Sequence, residues 1–195
     1  MNFLREQLIE NGVKIQSIVS ASGIGAYPSS YEKEFYESES DRSNYFLSDV
    51  IKEWEKATTS FEEIAEKVSI VRIGLVLSSR GGVLKQTMQP MSFGFGVYFG
   101  SGSQWQSWIH EQDAAKIILS GCENSWNGTY NLVAPKPVKQ NELINKINGF
   151  NPHLKIYGDE TGQIDLKKIN NEAIREISKS FFLSNSGEAV IIHDS

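Results

Sequence analysis

A single cysteine, Cys122, is all the chain carries, which excludes an internal disulfide framework and any cysteine-rich metal site. The three histidines, His110, His153 and His193, stand far apart and match no zinc-ligand spacing. No run reaches the ~18 apolar residues of a membrane span. The first ten residues hold Arg5 and Glu6 and no apolar core of a signal peptide. Basic excess is absent too: 19 Lys and Arg against 24 Asp and Glu leave a net charge of −5. That balance argues against a nucleic-acid surface, which needs clustered cations. These absences point to a soluble cytoplasmic protein without metal, membrane or nucleic-acid partner.

What is present suffices for a core: 39% of the 195 residues are hydrophobic and 16 are glycine. The spacing predicts a helix over Asn2–Asn11, stopped by Asn11-Gly12. Ile15–Ser22 is short, apolar and β-branched, the pattern of a buried parallel strand. A helix is expected from Tyr45 to about Lys67, with Phe46, Val50, Trp54, Ala57, Phe61 and Ile64 on one stripe. Val68–Leu77 reads as a second strand and Thr129–Val133 as a third. Helices are expected over 83–90, 113–123 and 139–148. Met91–Phe99 reads as loop or edge strand, and the tail holds one more periodic helix, 164–183, and a short strand, 188–193. Strands alternating with helices mean βαβ units and a mostly parallel sheet.

Two segments carry possible chemistry. In an open α/β sheet, ligands sit beyond the carboxyl ends of the strands. Ser20 and Ser22 close one such strand, and Gly23 and Gly25 let backbone approach a ligand. Ser22 could donate a hydrogen bond to a substrate oxygen; equally, the segment could be a tight turn whose hydroxyls satisfy loop amides. The second segment, Gly100–Asp113, sets Trp105, Gln106, Trp108 and His110 close together, as a pocket wall would. Alternatively, His110 and Glu111 simply lead into a helix. The many carboxylates of residues 32–66 read as solubilising charge.

Ser20–Tyr27, Arg72–Leu77, Gly81–Leu84, Gly100–His110 and Tyr130–Val138 occur in an order and spacing that resembles the extended short-chain dehydrogenase/reductase superfamily. Within it they resemble the NAD(P)-dependent, sugar-nucleotide epimerase-like branch. The resemblance covers residues 1–148 and implies the C-terminal part of a Rossmann-like domain: doubly wound, mostly parallel, and lacking its N-terminal half. Residues 149–195 form an atypical C-terminal segment. By the same resemblance Ser22 is the catalytic serine. Ser20, Ala21, Ser22, Ile73, Gly74 and Leu75 would line NADP or NAD. Tyr27, Trp105, Gln106, Trp108 and His110 would face a small carbonyl or sugar-nucleotide substrate.

Two departures accompany it. The glycine-rich pyrophosphate loop is absent, so the chain reads as truncated, and an uncovered sheet edge would favour a homo-oligomer. The superfamily's Tyr-x-x-x-Lys dyad falls on Phe46 and Val50, neither of which can transfer a proton. That replacement leaves open a second reading, a non-catalytic nucleotide-binding or interaction protein on the same fold.

Overall fold

The computed structural model describes residues 1–39, 45–78, 80–84, 95–97, 101–149 and 155–157. They fall into two compact units. The first spans Met1–Gly74 and Ala114–Leu132; the second spans Leu75–Asp113 and the stretch from Val133.

In the first unit, helix α1 (Asn2–Glu10) ends as its sequence dictates. Gly12 takes a φ of 65°, and the Gly12 and Val13 amides reach back to the Ile9 and Leu8 carbonyls at 2.9 Å each. This closes the last turn through a left-handed glycine. Strand β1 (Ile15–Gly23) follows. Helix α2 (Phe46–Thr59) is shorter than its periodicity suggests, and a single 3-10 turn (Ser60–Glu63) separates it from strand β2 (Ala65–Ile73). The reason lies in three consecutive hydroxyls. Thr58, Thr59 and Ser60 donate to the carbonyls of Trp54, Glu55 and Ala57 at 3.0, 3.0 and 2.8 Å. Side chains that satisfy the last carbonyls weaken the case for another helical turn. Phe61 then drops into the core with Ala65 and Val68, where Leu8, Ile15, Ile18 and Ile64 close around it.

Strand β1 pairs in parallel with β2, and β2 pairs in parallel with a later strand, Gly128–Leu132. The middle strand is buried almost continuously from Val68 to Arg72, as a central parallel strand should be. Among the described residues, nothing pairs with the outer edge of β1. The second expected strand does not run to Leu77. Gly74 donates to the Leu132 carbonyl at 3.2 Å, while Leu75 donates to the Ser107 carbonyl at 2.7 Å. The ladder therefore changes partner at Gly74.

From Leu75 onward the second unit is built of small ladders. Strand β3 (Leu75–Leu77) pairs in parallel with β6 (Trp108–His110). Strand β4 (Phe95–Val97) pairs with β9 (Lys155–Tyr157), and β5 (Trp105–Gln106) lies antiparallel to β8 (Val138–Lys139). Helix α3 (Glu111–Glu123) starts in this unit and leads to β7 (Gly128–Leu132) in the first. Helix α4 (Gln140–Gly149) buries Leu143, Ile144 and Ile147. No helix among the described residues is long and apolar enough to cross a membrane. The helices expected over 83–90 and 164–183 lie outside the described residues, except for a first turn at residues 82–84; so do the strand over 188–193 and most of Met91–Phe99.

The class is α/β with a parallel sheet, as the alternation of patterns implies. Phe61 is fully buried at the centre of the first unit's core cluster. Phe61→Ala is expected to lower stability by about 3–5 kcal/mol, measured as a fall in the urea midpoint. A loss under about 1 kcal/mol would mean the cluster carries little of the core.

Candidate functional site

Register places three polar residues in one line. Ser22 is the partner of Arg72, and Arg72 is the partner of Asn131. Partners in a parallel ladder point to the same face. Each stands one residue before the end of its strand, so the line lies at the carboxyl edge of the sheet. That face is covered by α2, while Val19, one step out of phase, faces Gly121 of α3 on the other side.

The line is joined by side chains from α2 and from the segment after β1. Ser22 Oγ donates to Glu55 Oε1 at 2.7 Å. Arg72 grips the same carboxylate with two N–H groups, Nε to Oε1 at 2.8 Å and Nη2 to Oε2 at 2.9 Å. Its Nη1 donates to the Tyr27 hydroxyl at 2.7 Å, which in turn donates to Asn131 Oδ1 at 2.9 Å. The Arg72 guanidinium also lies over the Tyr27 ring, 5.0 Å from its centroid. On the outer side, the Asn131 amide donates to Glu37 Oε1 at 2.6 Å. Glu37 Oε2 is buried with no partner. Phe35 stacks on Tyr27 with ring centroids 5.6 Å apart, so the segment from 28 to 39 folds over the strand ends.

Arg72 is 2% exposed and Glu55 12%. Burial alone would lower the Arg72 guanidinium. The Glu55 carboxylate and the Tyr27 oxygen outweigh it, so the guanidinium is held above its ordinary value. A bidentate pair of this kind is strong only while both partners remain.

The expected dyad positions do not face Ser22. Phe46 is 82% exposed and Val50 43%. The face of α2 turned to the end of β1 is one residue further on. A Cβ on Gly25 would meet Leu47 and Ile51 at 3.3 Å each, and Glu55 continues the same stripe at Ser22. Ser20 is buried; Trp54 Nε1 lies 3.3 Å and the Thr58 hydroxyl 3.0 Å from its Oγ, so it faces α2 and not the strand end. Ala21 is exposed on the opposite side of β1, and Ile73 and Gly74 are partly buried at the end of β2. Two carboxylates read from the sequence as solubilising charge, Glu37 and Glu55, are structural members of the site.

Leu75, Trp105, Gln106, Trp108 and His110 belong to the second unit. Trp105 is 44% exposed with Lys139 Nζ 5.3 Å above its ring. Gln106 borders a recess with Leu77, Leu84 and Leu143. Trp108 is fully buried and gives its indole N–H to the Lys136 carbonyl at 3.1 Å. His110 is buried, and its Nδ1 accepts the Gln112 amide at 3.2 Å. It thus caps α3, as one of its two sequence readings allowed, and its Nε2 is buried without a partner. Trp108 and His110, expected on a pocket wall, form the interior of their unit instead.

No family model matches the chain. An epimerase family protein of Staphylococcus aureus is 37% identical over 127 residues, which are 65% of this chain and 42% of that protein. Over these 127 residues the chain is similar to epimerase family proteins. It spans about two fifths of the length of the curated relatives it matches, 42% of the Staphylococcus aureus protein. Among solved structures, a nucleoside-diphosphate sugar epimerase of Corynebacterium glutamicum is 31% identical with a TM-score of 0.64, covering 74% of this chain and 31% of that one. A human epimerase family protein solved with NADPH is 28% identical with a TM-score of 0.59, covering 69% and 45%. These likenesses agree with the resemblance read from the sequence and with its Rossmann-like α/β fold, in which the strand ends carry the line from Ser22 to Asn131.

Two outcomes follow from the charges. Arg72→Met leaves the Glu55 carboxylate buried without its cation, an expected loss of about 3–5 kcal/mol. Replacing both by Met should recover most of that loss in urea titration; equal losses for single and double variants would deny the coupling. In the second unit, hydrogen bonds from Ser78 and Arg80 hold the Glu111 carboxyl below its ordinary value of 4.5. A depressed carboxyl stabilises the fold above its unfolded value, and that contribution disappears as pH falls through the lower folded value. The urea midpoint of Glu111→Gln should trail the parent at pH 7, and the gap should close in acid below about 4.5.

Proposed function

We propose that this chain carries the nicotinamide-end and substrate-side portion of an NAD(P)-dependent epimerase or oxidoreductase acting on a small carbonyl or sugar-nucleotide substrate. The line Ser22–Arg72–Asn131 at the carboxyl ends of three parallel strands carries this reading. Ligands of open α/β sheets bind at that edge. Residues 1–148 are read as the C-terminal part of the Rossmann-like domain, with 149–195 a separate appendage.

The residues present suit one end of a dinucleotide. Ser22 is partly buried, its backbone and that of Gly23 lie at the strand tip, and Gly25 lets Leu47 and Ile51 of α2 close against the segment beyond it. Ser22, with the Ala21, Ile73 and Gly74 backbone, would hold the nicotinamide side of NADP or NAD; Ser20 supports them from behind. In the first unit Tyr27 is the candidate substrate contact; taken by itself, the second unit offers Trp105 and Gln106, framed by Trp108 and His110. When bound, the cofactor would supply the hydride for a carbonyl or accept one from an alcohol; the chain's own groups orient the ligand and exclude water. The net charge of −5 suits a cytoplasmic enzyme of small molecules. The outer edge of β1 is where a second copy would add.

A second reading, a non-catalytic nucleotide-binding or interaction protein, is favoured by one observation. The pair of α2 that faces the end of β1 is Leu47 and Ile51, and neither side chain exchanges a proton. Hydride transfer from NADPH to a carbonyl compound, or from an alcohol to NADP, separates the two.

Among the described residues no glycine-rich loop between a strand and a helix has the pattern that holds a pyrophosphate, so NADPH should bind this chain more weakly than ~1 mM, about −4 kcal/mol. Saturation-transfer NMR at millimolar NADPH should mark the nicotinamide protons above the adenine protons. Adenine-dominated transfer, or none, would overturn the assignment of the nicotinamide end.

A further inference from the structure

The direction of one hydrogen bond decides what Ser22 can read. A serine hydroxyl has one proton and two lone pairs. Ser22 Oγ stands 2.7 Å from Glu55 Oε1, and a carboxylate can only accept. The proton of Ser22 is therefore given to Glu55. Glu55 cannot turn away, because Arg72 holds both of its oxygens from a site that is 2% exposed. What Ser22 offers a ligand is its lone pairs.

We infer that Glu55, pinned by Arg72, is a positioning residue that makes Ser22 a hydrogen-bond acceptor, so that the ligand group at Ser22 is a donor, the hydroxyl of an alcohol, and not a carbonyl oxygen. This deepens the proposed function and rests on its placing Ser22 at the ligand. It reverses the donor role that the sequence suggested. A ketone brought to the same point would set its lone pairs against those of Ser22. An alcohol sets its proton there, leaving its carbon-bound hydrogen free to face another group. The arrangement favours the hydroxyl form of a substrate over its oxidised form at this position.

The test has two parts. In the ligand-free chain, a Ser22 hydroxyl proton locked on a carboxylate exchanges slowly. The Ser22 Cβ NMR line should split in an equal mixture of H2O and D2O, and the splitting should vanish in Glu55→Gln. A single averaged line in the parent overturns the inference without needing any variant to fold. In the second part, cyclohexanol and cyclohexanone are titrated while the Gly23 amide is followed. Cyclohexanol should bind more tightly by about threefold to tenfold, the worth of one hydrogen bond. Ser22→Ala should remove the preference and Ser22→Thr should restore it. A preference for the ketone, equal binding, or no binding of either counts against the inference. Neither part uses a nicotinamide cofactor. Failure of the NADPH measurement with the alcohol preference intact would sink the cofactor assignment alone, and the reverse result would sink only the acceptor role.

Discussion

The two-pronged contact between Arg72 and Glu55 is the constraint on which the rest of the site depends. Arg72 sits in the central strand with 2% of its surface exposed, where an unpaired cation would cost several kcal/mol. Its partner comes from α2, so the helix must keep its rotation and height over the sheet for the charge to be tolerated. Ser22 then spends its proton on Glu55, and Tyr27 is fixed by both the Arg72 N–H and the stacked Phe35 ring. Tyr27 in turn fixes the Asn131 side chain, and the Asn131 amide binds Glu37. Five contacts spread outward from one buried charge. Such a pair contributes less net stability than its distances suggest, because desolvation offsets the attraction. Its effect is to make one arrangement of strand ends far better than its neighbours.

The sheet makes that arrangement possible. Side chains alternate across a strand, so a slip of one residue in β1 would turn Ser22 away and present Ala21 to α2. The same slip in β7 would replace Asn131 by Leu132 or Tyr130. The apolar neighbours guard the register: Ile70, Val71 and Leu132 are buried, and each would be displaced by a slip. Core packing and site geometry are thus one condition. The strands' hydrophobic pattern sets the line of polar residues as a by-product of filling the interior.

Much of the frame was legible in the sequence because its signals are local. Asn11-Gly12 ends α1, the β-branched run makes β1, and Gly128 opens β7 at a φ of 108°. The end of α2 was not legible from periodicity, since Phe61 and Ile64 keep the helical stripe while three hydroxyls terminate the helix. The break at Gly74 was hidden for the opposite reason: β2 and β3 are equally apolar, and only their ladder partners differ. The sequence singled out Ser22, near the end of β1, and Tyr27, just beyond it. Glu55, Arg72 and Glu37 were not legible, because a carboxylate's burial depends on partners distant in sequence. Ser22 and Glu55 are 33 residues apart, and Tyr27 and Asn131 are 104 apart. The signal that existed was Arg72 itself, a charge in the middle of an otherwise apolar strand, which demands an acid from a packed element.

A single residue of helical phase carries the chemical difference. Residues 46 and 50 project outward and 47 and 51 project toward Gly25, a rotation of about 100° per residue. Neither pair contains a phenol or an ammonium group, so the helix supplies no proton donor at the end of β1 under either alignment. What it does supply, one turn further along the inner stripe, is Glu55. Arg72 is held above its ordinary value and keeps its proton throughout the neutral range. The charge that orients Glu55 is therefore permanent, and with it the direction of the Ser22 hydrogen bond. The strand end has a fixed polarity set by a buried ion pair, where a Tyr and Lys pair would have given it an exchangeable proton.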